Sequence, residues 1–214
     1  GLGLCVGLLA TAGLRTYAVQ GVEADATARQ DAAVEAALTT IEERFVELRD
    51  RLHTRAEGLA ADSSIWMDLQ AWREQGTRPS SLAQYVAARP SDARTAIEVY
   101  APNGRALAWA GPQVPIDSAQ GEAGQIVRPR TTVVHDESGR WALAAWAPVT
   151  HEGTQLGAIR VARVVRYRPP VQNRYVQATS LEAQWGRATG ELVRVRWNGA
   201  PPASPHRALR CRLG

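Results

Sequence analysis

Between about Ala24 and Ala61 the chain places an apolar residue every three or four positions: Val34, Leu38, Ile41, Phe45, Leu48, Leu52 and Leu59, with Ala56 in the slot before the last. That is the stripe of an amphipathic α-helix. The other faces carry Glu42, Glu43, Arg44, Glu47, Arg49 and Asp50, so most of the cylinder is solvated. No proline interrupts the run, and its alanines and glutamates favour helix. At ~1.5 Å per residue such a helix reaches roughly 55 Å, longer than most globular domains need. A near-heptad stripe of this length suits a helix–helix seam or a backbone on which a small domain packs. An ordinary long core helix is the plainer alternative.

What precedes the helix constrains its setting. Residues 1–13 read GLGLCVGLLATAG, apolar and uncharged until Arg15, and the first residue is not methionine. The segment reads as the end of something longer. Alone it falls short of the ~20 apolar residues of a membrane span, and completed upstream it would reach that length. A signal-peptide core with Ala10-Thr11-Ala12 as the cleavage site, or a buried helix, are its rivals. A lipidated Cys5 fits poorly, because bulky Leu4 precedes it. The expected division is a membrane-spanning or signal segment over 1–20, a stalk helix over 21–61, a folded domain over 62–168, and an extension over 169–214.

Composition removes several function classes. All 25 basic residues are arginine and the net charge is only +4, without a long basic run, so a nucleic-acid surface is not expected. Two cysteines, Cys5 and Cys211, make neither a metal site nor a disulfide framework. The four histidines, His53, His135, His151 and His206, fall in different expected elements, so no metal is expected. There is no phosphate loop, no H-E-x-x-H and no G-x-S-x-G, and hence no expectation of a cofactor or of catalysis by this fragment. Asp62, His53 and Ser63 include the side chains of a triad, but nothing in the sequence orders them.

After Ala61 the pattern shortens. Asp62-Ser63-Ser64 is placed to end the first helix or cap a second that runs through Trp66, Leu69 and Trp72 to Glu74. Gly76 and Pro79 break that helix. Ser80 or Ser81 then caps a third through Leu82, Tyr85 and Val86, closed by Pro90. From Thr95 the period becomes two. Thr95 to Ala101 and Ala106 to Ala110 flank Pro102-Asn103-Gly104-Arg105, a hairpin whose Asn-Gly tolerates positive φ. Gln125 to His135, Trp141 to Thr150 and Gln155 to Arg166 follow, joined by short turns into an antiparallel meander. Beyond Pro169-Pro170, a helix is expected over Val171 to Ala188 and a strand over Glu191 to Trp197.

Two stretches carry a family resemblance. They are the hairpin Ile97-Glu98-Val99-Tyr100-Ala101-Pro102-Asn103-Gly104-Arg105-Ala106-Leu107-Ala108 and the closing pair, Trp141 to Val149 with Leu156-Gly157-Ala158-Ile159-Arg160-Val161. With the long helix before them, they resemble the extracytoplasmic PAS-like sensor domains of the Cache type, over roughly Ala24 to Arg166. The resemblance implies an α+β fold, a long N-terminal helix packed on a five-stranded antiparallel PAS-like sheet. It also implies an extracytoplasmic sensing domain of a membrane-anchored signal transducer such as a histidine kinase. In that family a small ligand is expected between the sheet and its covering helices.

The residues themselves suggest a ligand class. Arg128 and Arg130, two apart on the expected third strand, would share a face and offer planar forks to a carboxylate or phosphate. Tyr100, Trp109, Trp141 and Trp146 would add aromatic walls. A small anionic or zwitterionic ligand is therefore expected, beside a membrane contact through the N-terminal segment and a homodimer through the stalk. The plainer readings are solvated arginines, core tryptophans, and an exported structural or dimerisation module without a ligand.

Overall fold

The computed structural model describes residues 2–77, 79–89, 92–112, 114, 126, 128–135, 139–167, 169 and 178–189, with side chains from residue 28 onward, that of Thr179 excepted. Helix α1 runs from Leu2–Ala60 without a break, 59 residues in all. Phe45, Leu48, Leu52, Ala56 and Leu59 are buried, as their spacing predicts. Towards the N-terminus the stripe shifts: Ala37 takes the buried position, while Val34 and Leu38 are half-buried.

Asp62 stops α1 and starts α2 (Ser63–Gln75): its backbone is extended and its carboxylate accepts the Ser64 amide. Gly76, at φ 71, closes α2 by donating its backbone N–H to the Trp72 carbonyl, the left-handed ending that favours glycine. The expected serine cap of α3 (Ser80–Ala88) does not form; Pro79 holds that position without a side-chain cap. Ser81 instead donates to Asp68 at 2.8 Å, tying α3 to α2. The same Asp62 also accepts bonds from Tyr85 and, at 3.0 Å, from Arg89, so it holds the α2–α3 corner rather than joining a triad.

Strands β1 (Thr95–Tyr100), β2 (Ala106–Ala110), β3 (Arg130–His135), β4 (Trp141–His151) and β5 (Thr154–Tyr167) form one antiparallel sheet in the order β2-β1-β5-β4-β3. In the first hairpin the Gly104 amide bonds the Ala101 carbonyl and Gly104 alone takes positive φ, so the loop is longer than a two-residue turn. Glu152 and Gly153 both take positive φ between paired His151 and Thr154. That is the two-residue turn whose twist suits a hairpin.

The third strand begins later than its sequence suggests. Arg130 pairs with Trp146, so Arg128 would oppose Pro148, and Pro129 lies between. Neither proline has an amide hydrogen to give, and the ladder ends there. Past β5, the expected helix over 171–188 is also shorter: Thr179–Ser180 form a two-residue strand, β6, on Arg166 and Tyr167, and α4 covers Leu181–Thr189. Ser180 accepts the Ala183 amide at 3.2 Å and so opens that helix. Residues 171–177 and the expected strand Glu191 to Trp197 lie outside the described residues.

The sheet's two faces differ. One carries Ile97, Val99, Leu143, Ala145, Ile159 and Val161, in one core with α1, α2, α3 and α4. α4 joins it edge-on, Trp185 to Phe45 at 6.4 Å between ring centres. On the other face β2 must be joined to β3 at the opposite edge. Val114 and Ile126 of that connection are buried there, Val114 beside Ala144 and Ala162, Ile126 beside Tyr100 and Trp146.

Candidate ligand site on the sheet face away from the helices

Charged residues at alternate positions of apolar central strands fix this face. Glu98 sits between Ile97 and Val99 on β1, and Arg160 between Ile159 and Val161 on β5. Because strand side chains alternate, the apolar neighbours face the helices and the charges face the other way. Register then sets one row across all five strands: Trp109 opposite Glu98, Glu98 opposite Arg160, Arg160 opposite Trp146, and Trp146 opposite Arg130.

At its centre are two buried charges. Arg160 is 0% exposed and Glu98 8%. An isolated buried charge is costly, so pairing is obligatory. Arg160 Nη1 lies 3.3 Å from Glu98 Oε2, and Tyr100 donates its hydroxyl to that same oxygen at 2.6 Å. Arg160 Nη1 also reaches the Tyr100 hydroxyl oxygen, at 3.5 Å. Burial first, then the Glu98 charge, pushes the Tyr100 hydroxyl well above the ordinary phenol range despite the opposing Arg160. It therefore stays a donor. Trp146 walls the group, 5.5 Å from the Arg160 guanidinium and 5.3 Å from the Tyr100 ring. Ile126 closes over Tyr100 and Trp146, its carbonyl accepting from the Gln155 carboxamide at 3.1 Å.

Of the six residues singled out in the sequence, Tyr100, Trp109, Trp146 and Arg130 lie on this face. Tyr100 and Trp146 are buried at its centre, Arg130 is half-buried at the β3 end, and Trp109 is 63% exposed at the β2 edge. The other two are placed elsewhere. Arg128 is exposed, precedes β3 and shares no strand face with Arg130. Trp141 is five residues from Trp146 on one strand, an odd number, so it takes the helix-covered face, where it stacks on His135 at 4.6 Å. The expected place for a ligand, between sheet and helices, is filled by apolar side chains; the polar group lies on the reverse.

Glu98 and Arg160 escaped the sequence reading. Their signal was a single charge inside each of two apolar runs. What links them is the β1–β5 pairing across some sixty residues, which no local pattern shows. Among the described residues no cluster of three or more histidine, cysteine, aspartate or glutamate side chains is arranged to hold a metal. His53 lies 3.4 Å from Glu57, His135 stacks on Trp141, and His151 stacks on Trp66 at 3.8 Å. Among the described residues, no helix is long and apolar enough to cross a membrane.

No protein-family model matches the chain, and no curated protein matches it. Among solved structures it is similar to the domain of a sensory box/GGDEF family protein from Vibrio parahaemolyticus (13% identity, 63% of this chain and 61% of that one, TM-score 0.45). It is also similar to the extracellular domain assigned to a histidine kinase, vpHK1S-Z8 (12% identity, 63% of this chain and 57% of that one, TM-score 0.46). A third is the ligand-binding domain of the Pseudomonas aeruginosa PAO1 amino-acid chemoreceptor PctC in complex with GABA (15% identity, 55% and 61%, TM-score 0.31). The chain spans about three fifths of the length of each.

Proposed function

We infer that this chain is the non-catalytic sensing region of a membrane-anchored signal transducer, of the histidine kinase kind, with the folded domain outside the cytoplasm. In this reading residues 1–20 belong to an anchoring or signal segment, 21–61 form the stalk, 62–168 sense, and 169–214 extend the sensor. A small anionic or zwitterionic molecule binds on the face of Glu98, Tyr100, Arg130, Trp146 and Arg160. One observation supports this above others. The residues on either side of Glu98 and Arg160 are the ones packed in the helix-side core, so a changed arrangement on one face is felt by α1 through a single peptide unit. A ligand that prefers one of two packings of α1 shifts their populations by its differential affinity.

A thermal-shift screen of amino acids and small carboxylates against the wild-type chain, Arg130→Ala and Arg160→Met tests it. A ligand at about 100 times its Kd stabilises by ~2.7 kcal/mol, roughly 5–10 °C in a domain of this size. The wild type is expected to respond and both variants to respond less. No response to any anion, or equal responses from all three, refutes the site. A second reading, an exported dimerisation module without a ligand, draws on half-buried Val34 and Leu38, which prolong the stripe beyond its fully buried part. It predicts a concentration-dependent melting point in a dilution series and no response to small molecules.

A further inference from the structure

We propose that α1 carries a hinge at Thr39–Thr40, where the helix leaves the folded domain. Its composition alone would make the stretch stiff: α1 has no proline, and between residues 28 and 60 its only glycine is Gly58. The weak point comes instead from two side chains. Thr39 donates its hydroxyl to the Glu35 carbonyl at 3.1 Å, and Thr40 donates its own to the Ala36 carbonyl at 2.9 Å. Each carbonyl lies four residues back, so it is the same oxygen that an α-helix offers to the backbone amide of that threonine. Two successive rungs of the ladder are therefore shared with a hydroxyl. A shared carbonyl holds its amide less tightly, and such back-bonding softens or bends a helix.

The position of these rungs gives them a mechanical role. On their C-terminal side Ile41 packs against the helix-side core, and Phe45, Leu48 and Leu52 are buried in it. On their N-terminal side every residue from 28 to 33 is exposed. Between the two, Val34, Ala37 and Leu38 belong to none of the apolar clusters of the described residues. A helix held along one part and unsupported along the other bends at the first weak rungs outside the held part. Here those rungs are the ones that Thr39 and Thr40 share. Thr54, exposed between buried Leu52 and Ala56, lies inside the held part and serves as a reference. Roughly 55 Å of helix precede Thr39, so a tilt of about 5° there moves the start of α1 by about 5 Å. The hinge thus sets how far a small shift in the domain is carried along α1. It requires no ligand, so its failure leaves the proposed function standing.

Pulsed electron paramagnetic resonance on the full chain, with Cys5 and Cys211 replaced by serine, tests the proposal. Spin labels at Gln30→Cys and Gln84→Cys span the hinge, since both positions are exposed and Gln84 sits on α3. Labels at Glu43→Cys and Gln84→Cys lie wholly on the held side and give a reference distance. The spanning distance should be broadly distributed and the reference distance narrow. Thr39→Val with Thr40→Val keeps the branched shape and removes both hydroxyls. It should narrow the spanning distribution and leave the reference unchanged. Thr39→Ser with Thr40→Ser restores the hydroxyls and should keep the spanning distribution broad. An unchanged spanning width in the valine variant, or equal narrowing in the serine variant, overturns the hinge. Hydrogen exchange of the wild type needs no variant: the Thr39 and Thr40 amides should exchange about tenfold faster than that of Thr54, or more. Equal protection at the three amides overturns the proposal as well.

Discussion

At the scale of single residues, a glycine and a tyrosine share one constraint. Gly157 on β5 lies where a Cβ would stand 2.3 Å from the Tyr100 carbonyl oxygen and 3.1 Å from Leu69 of α2. The first obstacle is backbone, which cannot step aside without moving β1. Gly157→Ala should therefore cost about 2 kcal/mol or more. Since Tyr100 holds Glu98, the same change should weaken any ligand response. Chemical denaturation checks the first effect and the thermal-shift assay the second. Gly153→Ala is strained too, but lies in open space at a hairpin tip and should leave the ligand response unchanged.

At the scale of elements, α1 is two helices in one. Its C-terminal half belongs to the domain, where Leu48 is buried in the core shared with β1, β4 and β5. Near its middle, N-terminal to that buried part, it carries half-buried Val34 and Leu38. Leu48→Ala should cost ~2–5 kcal/mol, the range for emptying a leucine site that cannot collapse. Val34→Ala should cost less than ~1 kcal/mol in the monomer. Arg49→Ala should be nearly neutral, because its 2.8 Å pair with Asp50 is partly solvated. Urea melts of the three rank them, and equal small losses would mean that the stripe is not buried.

At the scale of the whole molecule, acid stability reports how the chain is tied at the start of the sheet. Asp92 accepts from the Thr95 hydroxyl at 2.8 Å and the Arg94 amide at 2.9 Å, and pairs with Arg163 of β5 at 2.6 Å. Burial raises its carboxyl, but those bonds and the Arg163 charge outweigh burial and hold it below its usual value of 3.8. A depressed folded-state pKa means that unfolding takes up a proton. The contribution is complete above the unfolded value of about 3.9 and is lost as pH falls through the folded one. Asp92→Asn should be less stable than wild type at neutral pH and show a shallower loss of stability below about pH 4. Denaturant titrations across that range measure both, and parallel curves would show that the carboxylate is unlinked to folding.

What the sequence by itself determined was whatever depends on near neighbours. The stripe from Phe45 to Leu59 is legible because a helix repeats every 3.6 residues. Strands β1, β2, β4 and β5 are legible because period two and the turns at Asn103-Gly104 and Glu152-Gly153 are local. Tertiary structure decided what depends on register and on the choice of face. Pairing with β4 ends β3 at Arg130, because Arg128 would have to bond to a proline; nothing near Arg128 announces Pro148, twenty residues on. The five-residue step from Trp141 to Trp146 was countable, yet which face each took depended on where α1 packed. Glu98 and Arg160 were visible as lone charges in apolar runs. They became a pair only when β5 came to lie beside β1, a contact whose loop-closure cost is repaid by the shared core and not by any local preference.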